Sequence, residues 1–413
     1  MRVLHTADWH IGHHLHGHDR SVEHGCFLEW LLQLLHERQI DALLVAGDIF
    51  DSANPSAASW QLFYRFLARL RSELPHLNVV ITGGNHDSPS KLDAPHELLK
   101  AFELHMIGAV ERTAQGELDM ERLLVPLKDR QGAVQAWCAA VPYLRSADLR
   151  LDQVEIDAEG EDRLVAGVRQ LYRAVIDEAL ARRQPGQPVL AMGHAYLRQG
   201  QLSELSERKI LGGNLHALPV DIFTGADYVA LGHLHLAQAL APTIHYSGSP
   251  LPLSMAEAGY RHQVLELELA NGEVALSARH RVPRAVPLLR VPEQAAPLEQ
   301  VETLLGQLEI APCAPEFRPF VEVNVLLDKP EPRLRERILA LVAEKPVRLA
   351  RIATHYQGER LGLADRLAQQ QLAELTPEQV FSLCYQRQYA SAPPTELAEA
   401  FEQLLTRIQE QEA

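Results

Sequence analysis

Through about residue 282 the chain alternates short apolar runs with longer segments of helical periodicity. Short apolar runs closed by turn residues are the pattern of strands buried on both faces, so the alternation predicts an α/β domain of layered sheets flanked by helices. Strands are expected at residues 3–6, 42–46, 79–82, 136–141, 189–192, 228–231, 244–246 and 264–269, and five of these eight runs end on a polar cluster. Helices are expected over 23–38 and 57–73, where Leu, Phe, Trp and Tyr recur on one stripe.

Pro283, Pro287, Pro292 and Pro297 then punctuate a stretch unsuited to a regular helix or a central strand, which sets a domain boundary. A small α+β unit is expected over 283–357, with strands at 320–327 and 347–352 and a helix over 333–344. From 358 to 413 the character changes to a Gln-rich connector and two amphipathic helices. The first is announced by Thr376-Pro377-Glu378-Gln379, which offers an N-cap, a proline at the first helical position and a capping-box Gln. The second begins near Thr395 and repeats apolar groups at Leu397, Phe401, Leu404, Leu405 and Ile408.

Composition narrows the class. At 413 residues and 46% hydrophobic, the chain has material for a large core and smaller additional units. Met1 leads into Arg-Val-Leu-His-Thr-Ala-Asp without the features of a secretory signal, and no apolar run is long enough to span a bilayer, so a soluble, cytoplasmic protein is expected. Cys26, Cys138, Cys313 and Cys384 are far apart, which fits reduced thiols better than a disulfide framework or a zinc knuckle. A net charge of −15 argues against holding nucleic acid mainly by a bulk positive field; DNA as substrate would require bound cations, local arginines or a partner.

The chemistry collects at the strand ends: Asp8-Trp9-His10, Gly47-Asp48-Ile49-Phe50-Asp51, Gly83-Gly84-Asn85-His86-Asp87, Gly193-His194 and Gly232-His233-Leu234-His235. In Asp-x-His and His-x-His the ligands are two apart, so an extended backbone would point both to one side. Carboxylate, amide oxygen and imidazole without thiolate suit Mn²⁺, Fe²⁺ or Zn²⁺ in a reactive rather than a structural site. Asp8, His10, Asp48, Asn85, His194, His233 and His235 are too many for one ion. A pair of ions about 3.5–4 Å apart, sharing one carboxylate, would account for them and is the usual device for in-line displacement at phosphorus. Asp48 is the candidate bridge. Taken singly, each motif is more often a turn and a cap than a metal site; five in one order, each closing an apolar run, reverse that.

The order D-x-H, G-D-x-x-D, G-N-H-D, G-H and G-H-x-H resembles the calcineurin-like metallophosphoesterase family. The runs His5 to Gly12, Val45 to Asp51 and Tyr246 to Pro252, and the segment Thr376 to Phe381, are similar to its branch of bacterial DNA nuclease subunits. That resemblance implies a metallophosphoesterase β-sandwich with a small α+β capping domain that binds DNA. It implies one ion on Asp8, His10, Asp48 and His235, a second on Asp48, Asn85, His194 and His233, and His86 as the acid beside the scissile phosphate. Two Mn²⁺ ions are the implied cofactors. The implied activities are double-strand exonuclease and hairpin endonuclease, gated by an SMC-like ATPase partner in DNA end processing, repair, recombination and replication. The C-terminal helices would dock on that ATPase in a heterotetramer, and parts of 57–70 and 94–102 would form a homodimer interface. Asp51 stands where some relatives carry a second histidine, so the phosphate-orienting role does not carry over to it; Asp87 is expected to orient a ligand.

Other readings stay open. The loop His13-His14-Leu15-His16-Gly17-His18 is a solvated loop or a substrate contact, and Arg333, Arg335, Arg337, Arg348 and Arg351 grip a DNA backbone or form an ordinary charged surface among Glu331, Glu336 and Glu344. A small-molecule phosphodiesterase would use the same ligands but needs neither the extra domain nor the terminal helices. A non-catalytic DNA-end-binding scaffold would not need His86.

Overall fold

The computed structural model describes residues 1–152, 154, 162–198, 200–201, 217–329 and 331–356, with isolated positions between 381 and 401. Two compact units divide the chain, Met1–Ala285 and Val286–Ala413.

The first unit is built on two six-stranded sheets. One runs in the order Glu273–Arg281, Gln263–Ala270, Arg2–Thr6, Ala42–Ala46, Asn78–Thr82, Leu104–Ile107; its last four strands are parallel and its first two form an antiparallel hairpin. The other runs Gln238–Ala241, Ile244–Tyr246, Tyr228–Gly232, Val189–His194, Val134–Ala140, Leu124–Lys128, with the four middle strands parallel. Strand periodicity divides the first sheet's side chains between two cores. Val3, Ala42, Leu44, Ala46 and Val80 face the second sheet, whereas Leu4, Leu43, Val45, Val79 and Ile81 face the helices Ser21–Glu37 and Ala57–Glu73. The helix Arg163–Arg182 adds Leu171, Tyr172, Val175, Ile176 and Ala179 to the core of the second sheet. The result is four layers, helix on sheet on sheet on helix.

Both outer helices follow from local sequence. Ser56 caps Ala57–Glu73 by accepting the Ser59 N–H at 3.1 Å. Phe63, Phe66, Leu67 and Leu70 then recur at helical spacing and are buried. Trp9 sits edge-on to Phe27, Phe63 and Phe66, with its indole N–H donated to Thr6 Oγ1 at 3.0 Å. The residue between Asp8 and His10 is therefore an anchor in the helix-side core.

Several elements differ from the pattern-based expectation. Leu124–Lys128 contains Pro126, and Glu273–Arg281 alternates exposed and half-buried positions; both are sheet edges, where a missing donor or a polar face is tolerated. Leu104–Ile107 and Gln238–Ala241 are four-residue strands too short to stand out as runs. In the second unit, the proline-punctuated stretch contains the strand Leu288–Pro297, again an edge, beside the central Phe320–Leu327 and the parallel Arg348–Tyr356. Its register shifts between Val291 and Ala296, around Pro292. Helices Leu298–Gln307 and Leu334–Val342 bury Val301, Leu305 and Ile338 with Val321, Val323 and Val325. The amphipathic segments expected from Thr376 and Thr395 lie outside the described residues. Cys26, Cys138 and Cys313 are free thiols, and among the described residues no helix is long and apolar enough to cross a membrane.

Phe63→Ala removes a fully buried ring from the cluster around Trp9. A loss of about 3–5 kcal/mol is expected, read as a lower urea midpoint.

Candidate metal centre

Parallel strands bring their carboxyl ends to one edge, which is where this kind of sheet places chemistry. The first sheet contributes the segments after Thr6, Ala46 and Thr82; the second contributes His194 at the end of its strand and the turn after Gly232. Extended backbone is not what aims the ligands. Asp8 (φ 55°), His10 (φ 46°), Asp48 (φ 50°) and His233 (φ 100°) all have positive φ, a conformation disfavoured for non-glycine residues by roughly 1–2 kcal/mol each. The strain is held by pairing beyond the strands: Asp8 N–H to Gly47 O at 3.0 Å, His10 N–H to Asp48 O at 3.0 Å and Ile11 N–H to Ile49 O at 2.9 Å. Glycine is required at two neighbouring positions. Gly47 has φ +84° and a Cβ there would strike the His194 ring, while a Cβ on Gly84 would strike the Asp48 carboxylate.

All seven sequence-derived ligand candidates join one network. His194 Nε2 lies 3.3 Å from Asp48 Oδ2 and 2.9 Å from Asn85 Oδ1, and His233 Nδ1 reaches the same Asn85 oxygen at 2.9 Å. His10 Nε2 lies 3.5 Å from Asp48 Oδ2, and its ring meets that of His235 edge-on with centroids 5.2 Å apart. Asp8 Oδ1 accepts the His233 N–H at 2.8 Å. Ligand atoms of Asp8, His10 and His235 converge closely enough to share an ion, as do those of Asp8, Asp48 and His194 and those of His10, Asp48 and His86.

The donor set fits divalent cations. Asp8 Oδ2 and His10 Nε2 are buried without a hydrogen-bond partner, a costly condition for polar atoms unless a ligand completes them. Burial pushes the Asp8 carboxyl up, to about 7, despite His194 and His235 nearby. Burial also opposes ionisation of Asp48, but the imidazoles of His194, His10 and His86 hold it well below the usual carboxylate range. Burial pulls His194 down, yet the Asp48 carboxylate overrides it and lifts the ring to about 9. Burial and then His194 leave His233 near 3. One pocket thus draws positive charge to His194 while burial disfavours protonation of His10 and His233, the neutral state in which imidazole binds metal.

Around this core, Asp87 accepts backbone N–H groups from Ile49 (3.0 Å), Phe50 (3.0 Å) and Gly84 (2.9 Å), so it fixes two ligand loops rather than one ligand side chain. His86 donates its backbone N–H to Asp48 Oδ1 at 2.8 Å and its Nδ1–H to the Asp51 carbonyl at 2.7 Å. Asp51 Oδ1 stands 3.3 Å from His10 Nδ1. The histidine-rich loop forms the small hairpin His14–Leu15 and His18–Asp19; His14 and Asp19 line a cleft with Asp51, Asn54 and Ser56 beside His10. Within the second unit, Arg337 is held by Glu302 at 2.7 Å, Arg351 by Glu322 at 3.8 Å, and Arg348 donates to the Arg318 carbonyl at 3.0 Å, as in an ordinary charged surface.

Three nearby residues carry no motif. Tyr143, on the loop after Val134–Ala140, stands edge-on to His194, and Arg145 donates to the Asp87 carbonyl at 3.2 Å. Glu257, on the turn Met255–Gly259, reaches His235 Nδ1 at 3.1 Å. Nothing in Val-Pro-Tyr-Leu-Arg or Met-Ala-Glu-Ala-Gly signals these positions; topology alone delivers them.

Known proteins carry the same organisation. Residues 1–237 match the calcineurin-like phosphoesterase family and residues 284–389 match the type 5 capsule protein repressor C-terminal domain. The chain is 39% identical over 390 residues to SbcD, the nuclease subunit of SbcCD, from Rhodobacter capsulatus, covering 93% of this chain and 94% of that one. It is 31% identical over 392 residues to the SbcD of Escherichia coli, covering 92% of each. Against the SbcD of Bacillus subtilis it is 36% identical over 279 residues, covering 67% of this chain and 68% of that one. A catalytic-domain match across more than half its length, together with relatives above 30% identity over nearly all of it, means that this chain belongs to the SbcD family of calcineurin-like, metal-dependent phosphoesterases.

Proposed function

We propose that this protein is a Mn²⁺-dependent DNA nuclease subunit. It hydrolyses phosphodiester bonds with two ions, acts on duplex ends and hairpins, and is gated by ATP through an SbcC partner in DNA end processing, repair and recombination. The observation that carries the reading is the convergence of Asp8, His10, Asp48, Asn85, His194, His233 and His235 from both sheets on one buried edge. Asp8, His10, Asp48 and His235 would hold one ion and Asp48, Asn85, His194 and His233 the other.

When bound, such a pair activates water as a nucleophile and neutralises charge on the phosphoryl oxygens. The protein's own groups supply orientation and a proton. Asp87 and the paired loops keep Asp48 aimed between the two sets of imidazoles. With Nδ1–H committed to the Asp51 carbonyl, His86 has Nε2 left to carry a proton to the leaving oxygen. Arg145 is a candidate contact for a neighbouring phosphate. DNA as substrate and SbcC as partner follow from the names of the relatives and from the unit after residue 285, which a small-molecule phosphodiesterase does not require. Tyr64, Leu98 and Phe102 are exposed apolar groups within the two segments expected at a homodimer interface, which supports a second copy packing on the first unit.

The substrate is tested by Mn²⁺-dependent digestion of a hairpin-ended duplex, with and without SbcC, beside a small chromogenic diester. In that assay His86→Gln lowers cleavage by about a hundred- to ten-thousand-fold while the bound Mn²⁺ count stays the same; unchanged hairpin cutting sinks the role of His86. Asp48→Asn reduces bound Mn²⁺ at both positions together, measured by equilibrium dialysis and elemental analysis; full occupancy of one position argues against a bridge. Removal of residues 376–413 abolishes capture of SbcC in co-purification and spares hydrolysis of the simple diester. Continued capture by the truncated chain would show that docking lies elsewhere.

A further inference from the structure

His235 is the last of the seven candidate ligands in sequence, and a fully buried carboxylate stands behind its ring. The segment that follows Tyr246 folds back over it: Ser249 N–H donates to the His235 carbonyl at 3.1 Å, and the buried Arg20 guanidinium ties the Pro252 carbonyl to the start of the first helix. The same segment ends in the turn Met255–Gly259, which delivers Glu257, fully buried, to the His235 ring. Glu257 Oε1 lies 3.1 Å from His235 Nδ1, and Glu257 Oε2 accepts the Leu253 N–H at 2.8 Å.

We propose that Glu257 is a positioning residue that fixes the tautomer and orientation of His235 and thereby sets the affinity of the metal position His235 serves. The inference rests on the two-ion reading above. A carboxylate accepts at both oxygens, so Nδ1 carries the proton and Nε2 is the ligand atom this tautomer offers toward Asp8 and His10. Negative charge behind the ring also makes Nε2 a stronger donor to a cation. The contrast within the site is chemical: His194 Nδ1 is backed by the neutral Ala46 carbonyl at 3.0 Å, whereas the ring of His235 is backed by a buried carboxylate. The two metal positions are therefore inequivalent by construction, and Glu257 supplies part of the difference.

Glu257→Gln keeps the shape and breaks the logic, because an amide has one accepting end and one donating end. If its oxygen serves Leu253, its NH₂ faces Nδ1 and drives the proton to Nε2, where it blocks ligation. If it turns over, two donors oppose each other at Leu253. Mn²⁺ alone is titrated into the full chain by calorimetry. For Glu257→Gln, one of two equivalents is expected to weaken by about 10–100-fold while the other is retained. In the His235→Ala background the same substitution should add no further loss, a non-additivity that general destabilisation would not produce. Unchanged affinity for both equivalents, or a full additional loss in that background, overturns the proposal. Should wild type bind a single equivalent, the two-ion reading fails, and Glu257 is judged on that one ion. A second measurement needs no stable variant: ¹⁵N spectra of histidine in the wild-type Zn²⁺-loaded protein, with His235 assigned by His235→Gln, should show the Nδ1–H tautomer, and an Nε2–H tautomer overturns the assignment.

Discussion

Two carboxylates, Asp8 and Asp48, are held out of water where the two sheets meet, and the rest of the nuclease unit is arranged around that constraint. Burying an acid is unfavourable unless positive charge or donors compensate it. Here the compensation comes from imidazoles and backbone amides contributed by every neighbouring strand end, with His194 drawn to the cationic state by Asp48. The four layers matter because they keep those strand ends in register. A shift of either sheet would leave the carboxylates facing groups that cannot satisfy them.

The same constraint explains why strained backbone persists. Four of the ligand candidates have positive φ, and their surroundings hold them: the paired backbones of residues 8–11 and 47–49, Asp87 across two loops, Trp9 buried among aromatic rings, and Asp8 accepting the His233 N–H. Rigidity at the site is thus borrowed from the hydrophobic cores on either side of the first sheet.

Much of this was legible in the sequence, because apolar runs closed by Asp, Asn or His report a strand and its functional end at once. Residues 42–46, 57–73, 244–246 and 320–327 coincide with observed elements. Edge strands were not legible, since half-solvated residues such as those of Glu273–Arg281 show little contrast, and Leu124–Lys128 hides behind its proline. The helix Arg163–Arg182 has plain helical spacing at Leu164, Val168, Leu171, Val175 and Ala179 and could have been found. At the site, motifs named the ligand candidates but misjudged how they converge, because Asp-x-His suggests an extended backbone and the chain uses left-handed turns. Glu257, Tyr143 and Arg145 come from loops without pattern, and only the three-dimensional path brings them near.

The ligand candidates are spread from Asp8 to His235, with Glu257 later still, and the adjacent strands Gln263–Ala270 and Arg2–Thr6 join chain segments that are synthesised far apart in time. No early fragment contains the whole constellation. A chain emerging from the ribosome therefore has no assembled centre until His233 and His235, more than two hundred residues after Asp8, have been added. Hydrolytic competence thus waits for the chain to pass His235, so copies cut short before that point would lack the constellation by topology, without an inhibitor.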